Sequence, residues 1–434
     1  MLIGVASTDI SPPLGTALAG YFRVRISDQL HSPLIANALV AGEGANKVAV
    51  IACDLITITK ELSEQVRQIV SAKSDLAAAN IMVCATHTHT GPELRAGKLH
   101  PRNEEYMQEL PGRIAQAAIL ANANQRQAVC CLGTEPESGL AFNRRFRLKD
   151  GSEITFGADP EKLAGVAGPT DPAFTLACFK TDLEASPFAI ICNYSLHIDV
   201  QGGNAISADY PAVLRNTLRK IYGEELVVLF LQGACGDINH VPYLQNNPFP
   251  KKDIWKSEQI GKALAGKALC ISEKALPSNS EDTGSSQEIL QVPKFPKNDP
   301  AYAMRLKQAQ EAKEPNSFEQ SLLDRHADYD DSGLTEREVQ TLRIGDLAIC
   351  GAPGEYFVEW GLEIKKWSPA PYTVIAELCN DSAGYIPTYE TFLRGGYECT
   401  PVVSVTSSPA LGQMIADANF RNLRRLFAKA QPEQ

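Results

Sequence analysis

Ile81-Met82-Val83-Cys84-Ala85-Thr86-His87-Thr88-His89-Thr90-Gly91-Pro92 is the stretch that decides how this chain is read. Its first five residues form an apolar run with the length and composition of a buried strand, and the Gly-Pro pair that closes it marks a turn. Between them stand two of the chain's seven histidines. Side chains alternate in direction along a strand, so His87 and His89 are expected on one side of the backbone, at the strand end where functional groups are most often carried. Neutral imidazoles paired there suit a metal such as zinc. The same pair bonded to carbonyls in a polar turn would need none.

The pattern repeats along the chain. His197 closes Cys192-Asn193-Tyr194-Ser195-Leu196-His197, just after the apolar run Pro187-Phe188-Ala189-Ile190-Ile191. Glu355 follows the run from Leu347 to Gly354 and precedes helical spacing through Phe357, Val358, Trp360 and Leu362, where an acid can equally be a helix cap. Tyr385 follows the strand-like Tyr372-Thr373-Val374-Ile375-Ala376, and a packed tyrosine ring is the ordinary reading there. Helical periodicity covers 61–71, 104–121, 210–221 and 260–275. Alternation of this kind predicts an α/β fold: a mixed β-sheet core flanked by helices, in one large domain over 1–434. The interval 277–337 is the exception, with a polar opening, a charged helical stretch over 301–312 and an acidic run over 324–331. It is expected to be a solvated surface excursion, with a lid or subunit contact as the alternative.

Composition sets bounds on function. With 434 residues and 44% hydrophobic content the chain can bury a large core, and a net charge of −10 argues against nucleic acid and against anionic membrane surfaces. No apolar stretch approaches the roughly 20 residues that span a bilayer. The first motif begins within a few residues of Met1, so no signal peptide is expected and a cytoplasmic location is. Of eleven cysteines, most lie in predicted core strands and none forms a CxxC pair, which favours a reducing compartment and small buried hydrophobes over a disulfide framework.

Together these segments resemble the neutral, non-lysosomal ceramidase family of zinc amidohydrolases. The likeness begins at Ile3-Gly4-Val5-Ala6-Ser7-Thr8-Asp9-Ile10-Ser11-Pro12-Pro13 and continues through His31, the strands at 36–40 and 48–54, and the THTHTGP stretch, which differs from the usual form only in Thr90 for serine. It runs on through Asn143-Arg144, 193–197, Ile206-Ser207-Ala208-Asp209-Tyr210-Pro211, 230–239, 351–355 and Gly384-Tyr385, ending at Tyr397-Glu398. The resemblance implies that His87, His197, Glu355 and Tyr385 bind one zinc ion. It places His89 beside them or facing substrate, and Arg144 and Tyr397 along the pocket.

The chain also departs from the family. Asn239, in Gly236-Asp237-Ile238-Asn239-His240, stands where the family carries a serine with an assigned catalytic role, so Asn239 is expected to offer at most a hydrogen bond. With Gln434 so soon after Tyr397, the family's C-terminal β-sandwich domain is expected to be absent. The mechanism expected is hydrolysis of an amide (C–N) bond by zinc-activated water, with His89 protonating the leaving amine and Tyr397 and Arg144 holding the oxyanion. Asp9, Asp54, Asp209 and Asp237 are candidates to orient the imidazoles. The substrate readings are a ceramide-like N-acyl lipid; a small polar amide, ester or lactone held by Arg144; reverse N-acyl transfer; and a zinc-binding protein without turnover. The oligomeric state is left open.

Overall fold

The computed structural model describes residues 1–95, 101–157, 159–245 and 252–428. Three sheets carry the fold. The first has five strands in the spatial order Ile81–Ala85, Val48–Cys53, Ile35–Ala41, Leu2–Asp9, Arg126–Gln127. The second orders Val227–Gln232, Ala189–Tyr194, Ala173–Lys180, Val129–Pro136 and Leu276–Pro277, and the third orders Thr283–Pro293, Leu334–Ile344, Leu347–Ala352 and Tyr372–Glu377.

Each sheet combines antiparallel strands with one parallel pair, whose members are Val48–Cys53 with Ile81–Ala85, Ala189–Tyr194 with Val227–Gln232, and Leu347–Ala352 with Tyr372–Glu377. The strands of the first two pairs are buried at every position. That is why they read as unbroken apolar runs such as VAVIAC and VVLFLQ, since a strand covered on both faces has no reason to alternate.

The sheets face one another. Val50, Met82, Ile191, Leu229, Leu231, Leu342, Ile349 and Val374 belong to one buried cluster drawn from all three. Helices cover the outer faces. Helices α1 (Lys60–Lys73) and α2 (Glu104–Ala123) bury Leu62, Val66, Leu110 and Ile114 against the first sheet. Helices α3 (Tyr210–Tyr222) and α4 (Ile254–Ser272) bury Leu214, Leu218, Ile260 and Leu264 against the second. Helix α4 starts six residues before its apolar periodicity suggests, because Asp253 caps it by accepting from the Trp255 amide. This mixed α/β core flanked by helices is the architecture the sequence predicts.

The interval 277–337 is less of an excursion than its polarity implies. Thr283–Pro293 pairs along its whole length with Leu334–Ile344 as part of the third sheet. Between these strands lie α5 (Pro300–Glu311) and α6 (Ser317–His326). They pack Tyr302, Ala309 and Leu322 against Phe392, Val402 and Val405, in the part of the chain that holds α7 (Val358–Trp367), α8 (Tyr389–Arg394) and α9 (Leu411–Phe427). Among the described residues no helix is long and apolar enough to cross a membrane.

The edges of the parallel pairs meet at their carboxyl ends. Asn193 donates to the carbonyls of Leu231 and Ile375, joining second sheet to third. The segment after Tyr372–Glu377 closes the free edge of Ile81–Ala85: Ala85 donates to the Leu378 carbonyl, Asn380 to that of Val83, and Val83 back to the Asn380 side chain. A buried strand edge needs such partners. This stitching brings the loops after Ile81–Ala85, Ala189–Tyr194, Leu347–Ala352 and Tyr372–Glu377 to one place.

Candidate metal centre

His87, His89 and His197 meet there, all buried. Their Nε2 atoms form a near-equilateral triangle: His87 to His197 is 3.1 Å, His89 to His197 3.1 Å and His89 to His87 3.3 Å. The same-side placement of the HxH pair is achieved differently from strand alternation. The strand stops at Ala85, and His87 takes a left-handed φ of 80°. Such a conformation is costly for a bulky residue, and surrounding bonds hold it: the His87 amide donates to Leu55, and the His89 amide to Ile198, which ties the two histidine loops edge to edge.

Each outer ring nitrogen lies on a backbone carbonyl. His87 Nδ1 is 2.7 Å from the Ile56 oxygen, His89 Nδ1 3.1 Å from that of Gly20, and His197 Nδ1 3.3 Å from that of Cys235. Carbonyls accept only, so in the neutral form of each ring the proton sits on Nδ1 and the Nε2 lone pairs face one another. Burial pushes His89 down to about 3 and His197 well below the usual range.

The aspartates expected behind the rings do other work. Asp54 accepts from Ile35, Thr86 and Arg215; Asp209 accepts from the amides of Val200, Gln201 and Tyr210; Asp237 accepts from Val358 and Asn143; and Asp9 accepts from Ser11. Among the described residues, the carboxylate close to an outer ring nitrogen is Asp199, whose Oδ1 lies 3.8 Å from His89 Nδ1.

Glu355 joins the group from the segment that follows Leu347–Ala352 of the third sheet. Its Oε2 is 3.5 Å from His87 Nε2 and 4.0 Å from His197 Nε2, and makes no hydrogen bond. Burial works against its charge, but His87 beside it holds the carboxyl below the usual carboxylate range. The same charge, set against burial, keeps the His87 pKa up. Tyr385 is placed by register, because the short parallel strands Glu355–Tyr356 and Tyr385–Ile386 pair Glu355 directly with Tyr385. A Cβ on Gly236 would come 2.6 Å from the Glu355 carbonyl, so only glycine lets the 235–237 loop pass there.

The Tyr385 hydroxyl is 3.2 Å from that of Tyr397 and 3.2 Å from a terminal nitrogen of Arg144. Burial raises both phenols above their ordinary pKa. The basic run at 144–147 suggests a solvated loop, yet Arg144 is only 2% exposed. It donates to Glu398 at 3.2 Å and to the Gly236 carbonyl at 2.7 Å. Arg145 takes the other Glu398 oxygen at 2.8 Å, and Thr155 donates to it at 2.6 Å. Gly396, at φ 97°, lets the chain cross so close to Arg145 that a Cβ would clash with its guanidinium.

Asn239 is near in sequence but turned to its own loop. Its Oδ1 accepts from the Val241 amide at 3.0 Å, and it bonds to Tyr243. Asn239→Ala is therefore expected to lower kcat less than about tenfold, a loss typical of one local hydrogen bond. Steady-state kinetics on the variant checks this.

Two residues of the site escape a sequence reading. Glu377 is wholly buried behind the loops, accepting from the amides of Cys235 and Tyr356 at 3.0 Å each, and burial raises it to about 8. Asp199 accepts from Tyr21 at 2.7 Å and pairs with Lys252. The available signal was an acid ending or closely following an otherwise apolar strand segment.

No described protein family and no curated protein matches the chain. Its fold does match solved structures. Neutral ceramidase from Pseudomonas aeruginosa superposes with a TM-score of 0.76 at 19% identity, covering 100% of this chain and 76% of that one. A ceramidase complexed with C2 gives 0.73 at 18% identity, with the same coverage. At such identities the likeness is one of architecture: this chain has the neutral ceramidase fold.

Proposed function

We propose that the chain is a zinc-dependent hydrolase that cleaves the C–N bond of an N-acyl amide, and that His87, His89, His197 and Glu355 hold the ion with Tyr385 at its side. The observation that carries this reading is the convergence of three Nε2 lone pairs, spaced 3.1–3.3 Å, on one point beside an unbonded carboxylate oxygen. Nitrogens bound at ~2.0–2.1 Å in tetrahedral geometry stand roughly 3.3 Å apart, so the triangle fits. The three imidazoles would hold the ion, and Glu355 Oε2, 3.5 Å from His87 Nε2, would be a further oxygen donor or the acceptor for a water in the open position that catalytic zinc keeps.

Zinc there supplies Lewis acidity, which polarises a carbonyl and lowers the pKa of water. His89 has both ring nitrogens committed, Nδ1 to Gly20 and Nε2 toward the other rings, so it serves as a third imidazole donor and not as the acid for the leaving amine. That task falls to the linked hydroxyls of Tyr385 and Tyr397. Arg144, fixed by Glu398, donates to Tyr385 and holds the pair aligned toward developing charge. Asp199 faces the other side of His89.

The rings packed on Tyr397 support an apolar acyl portion in the substrate. Phe156 stacks on Tyr397 with centroids 5.7 Å apart, and Phe318 packs on the same ring at 4.9 Å. Arg144, the anchor expected for a small polar substrate, is already committed inside the protein.

The test is hydrolysis of short- and long-chain N-acyl amides, amino-acid amides and lactones by zinc-loaded protein and by the Tyr397→Phe variant. Cleavage of N-acyl amides is expected, and Tyr397→Phe should lose about 10²–10⁴ in kcat, as removal of a positioned general acid does. Preference for lactones or amino-acid amides would sink the substrate reading.

A further inference from the structure

Two walls flank the histidines. On one, the Tyr21 ring lies 6.0 Å from His89 and its hydroxyl is bonded to Asp199. On the other, Tyr397 is bonded to Tyr385. Distant parts of the chain supply them, and two phenylalanines link them. Phe22, next to Tyr21, is 70% exposed and meets Phe318 edge to face with centroids 4.5 Å apart, and Phe318 meets Tyr397 at 4.9 Å.

Phe318 stands in the first turn of α6, which Asn316 and Glu319 cap reciprocally. Helices α5 and α6 are held to the second wall by a buried cluster of Tyr302, Leu322, Phe392, Val402 and Val405, against which Tyr385 also packs. The Tyr302 hydroxyl with His326 and Arg325 with the Val402 carbonyl add hydrogen bonds. To the first wall, α6 reaches through Phe22 alone among the ring contacts of the described residues. A single edge-to-face pair with one ring mostly in water is a far weaker joint than a buried cluster, so parting occurs there first.

We infer that Phe22 and Phe318 are specificity-determining residues that gate the histidine group: substrate passes between the two rings, and the gap left when they part selects a slender acyl chain over a bulky one. As a statement about substrate this rests on the hydrolase reading. As a statement about access it does not, and the test uses access.

The full-length chain in EDTA is treated briefly with diethyl pyrocarbonate, and modification of His89 is compared by mass spectrometry with that of exposed His31. Removing one aromatic contact should raise the His89 to His31 ratio roughly 3–10-fold in both Phe318→Ala and Phe22→Ala. The double variant should add little, since both remove the same contact. An unchanged ratio in either single variant overturns the gate. Unfolding would be recognised by a parallel rise at buried His240, and Phe22→Ala, a change at a mostly exposed ring, then decides. The readout needs neither metal nor turnover, so the gate and the hydrolase reading can fail separately.

Discussion

His87→Ala should leave purified protein with less than about a tenth of the zinc carried by wild type, and should lower kcat for an N-acyl amide by at least about 10³, because a site assembled from separate loops loses affinity steeply with each donor. The expectation rests on geometry. His87 Nε2 is within 3.5 Å of both His197 and Glu355, which makes it the hinge between the histidine triangle and the carboxylate. Alanine keeps a Cβ, so the cost of the φ of 80° remains in the variant and adds nothing to its stability. Elemental analysis after gel filtration, with His31→Ala as the control for an exposed histidine, measures it. Zinc retained at the wild-type level would remove His87 from the site.

Glu398→Ala should produce the largest loss of stability, about 3–5 kcal/mol, because it strands two buried guanidiniums at once. Glu398 is fully buried and accepts from Arg144, Arg145 and Thr155. Of these, Arg145 keeps Glu153 as a second partner, whereas among the described residues Arg144 keeps the Gly236 carbonyl and the Tyr385 hydroxyl, neither of them charged. Activity should therefore fall together with stability, as Arg144 swings away from the phenol pair. Glu398→Gln, which preserves shape and one acceptor oxygen, should lose less on both counts. Urea denaturation followed by fluorescence checks the order wild type, Gln, Ala. Equal midpoints for wild type and Glu398→Ala would show that the pair of arginines does not depend on this carboxylate.

Much of the frame was legible because burial leaves a mark on sequence. Val48–Cys53, Ile81–Ala85 and Leu347–Ala352 are covered on both faces and read as apolar runs, and the ligand candidates stand directly after such runs. Thr283–Pro293 was not legible. TGSSQEILQVP mixes polar residues throughout because the strand is an edge with one face to solvent, and its partner begins some forty residues later. The meeting of Glu355 with Tyr385 depends on a two-residue parallel pairing that no local pattern announces. The carbonyls of Ile56, Gly20 and Cys235 that fix the imidazole tautomers were illegible for a plainer reason: every residue has a carbonyl, and only the fold decides which one a ring meets. Asn239 was matched by motif order alone, which does not tell that its side chain accepts from the Val241 amide of its own loop.

The most direct test of the account is an anomalous-scattering map collected at the zinc edge from crystals grown with the metal. A single strong peak about 2.0–2.1 Å from the Nε2 atoms of His87, His89 and His197 and at similar distance from Glu355 is the predicted result. A peak elsewhere, or none between the three rings, would contradict the metal centre and with it the proposed hydrolysis.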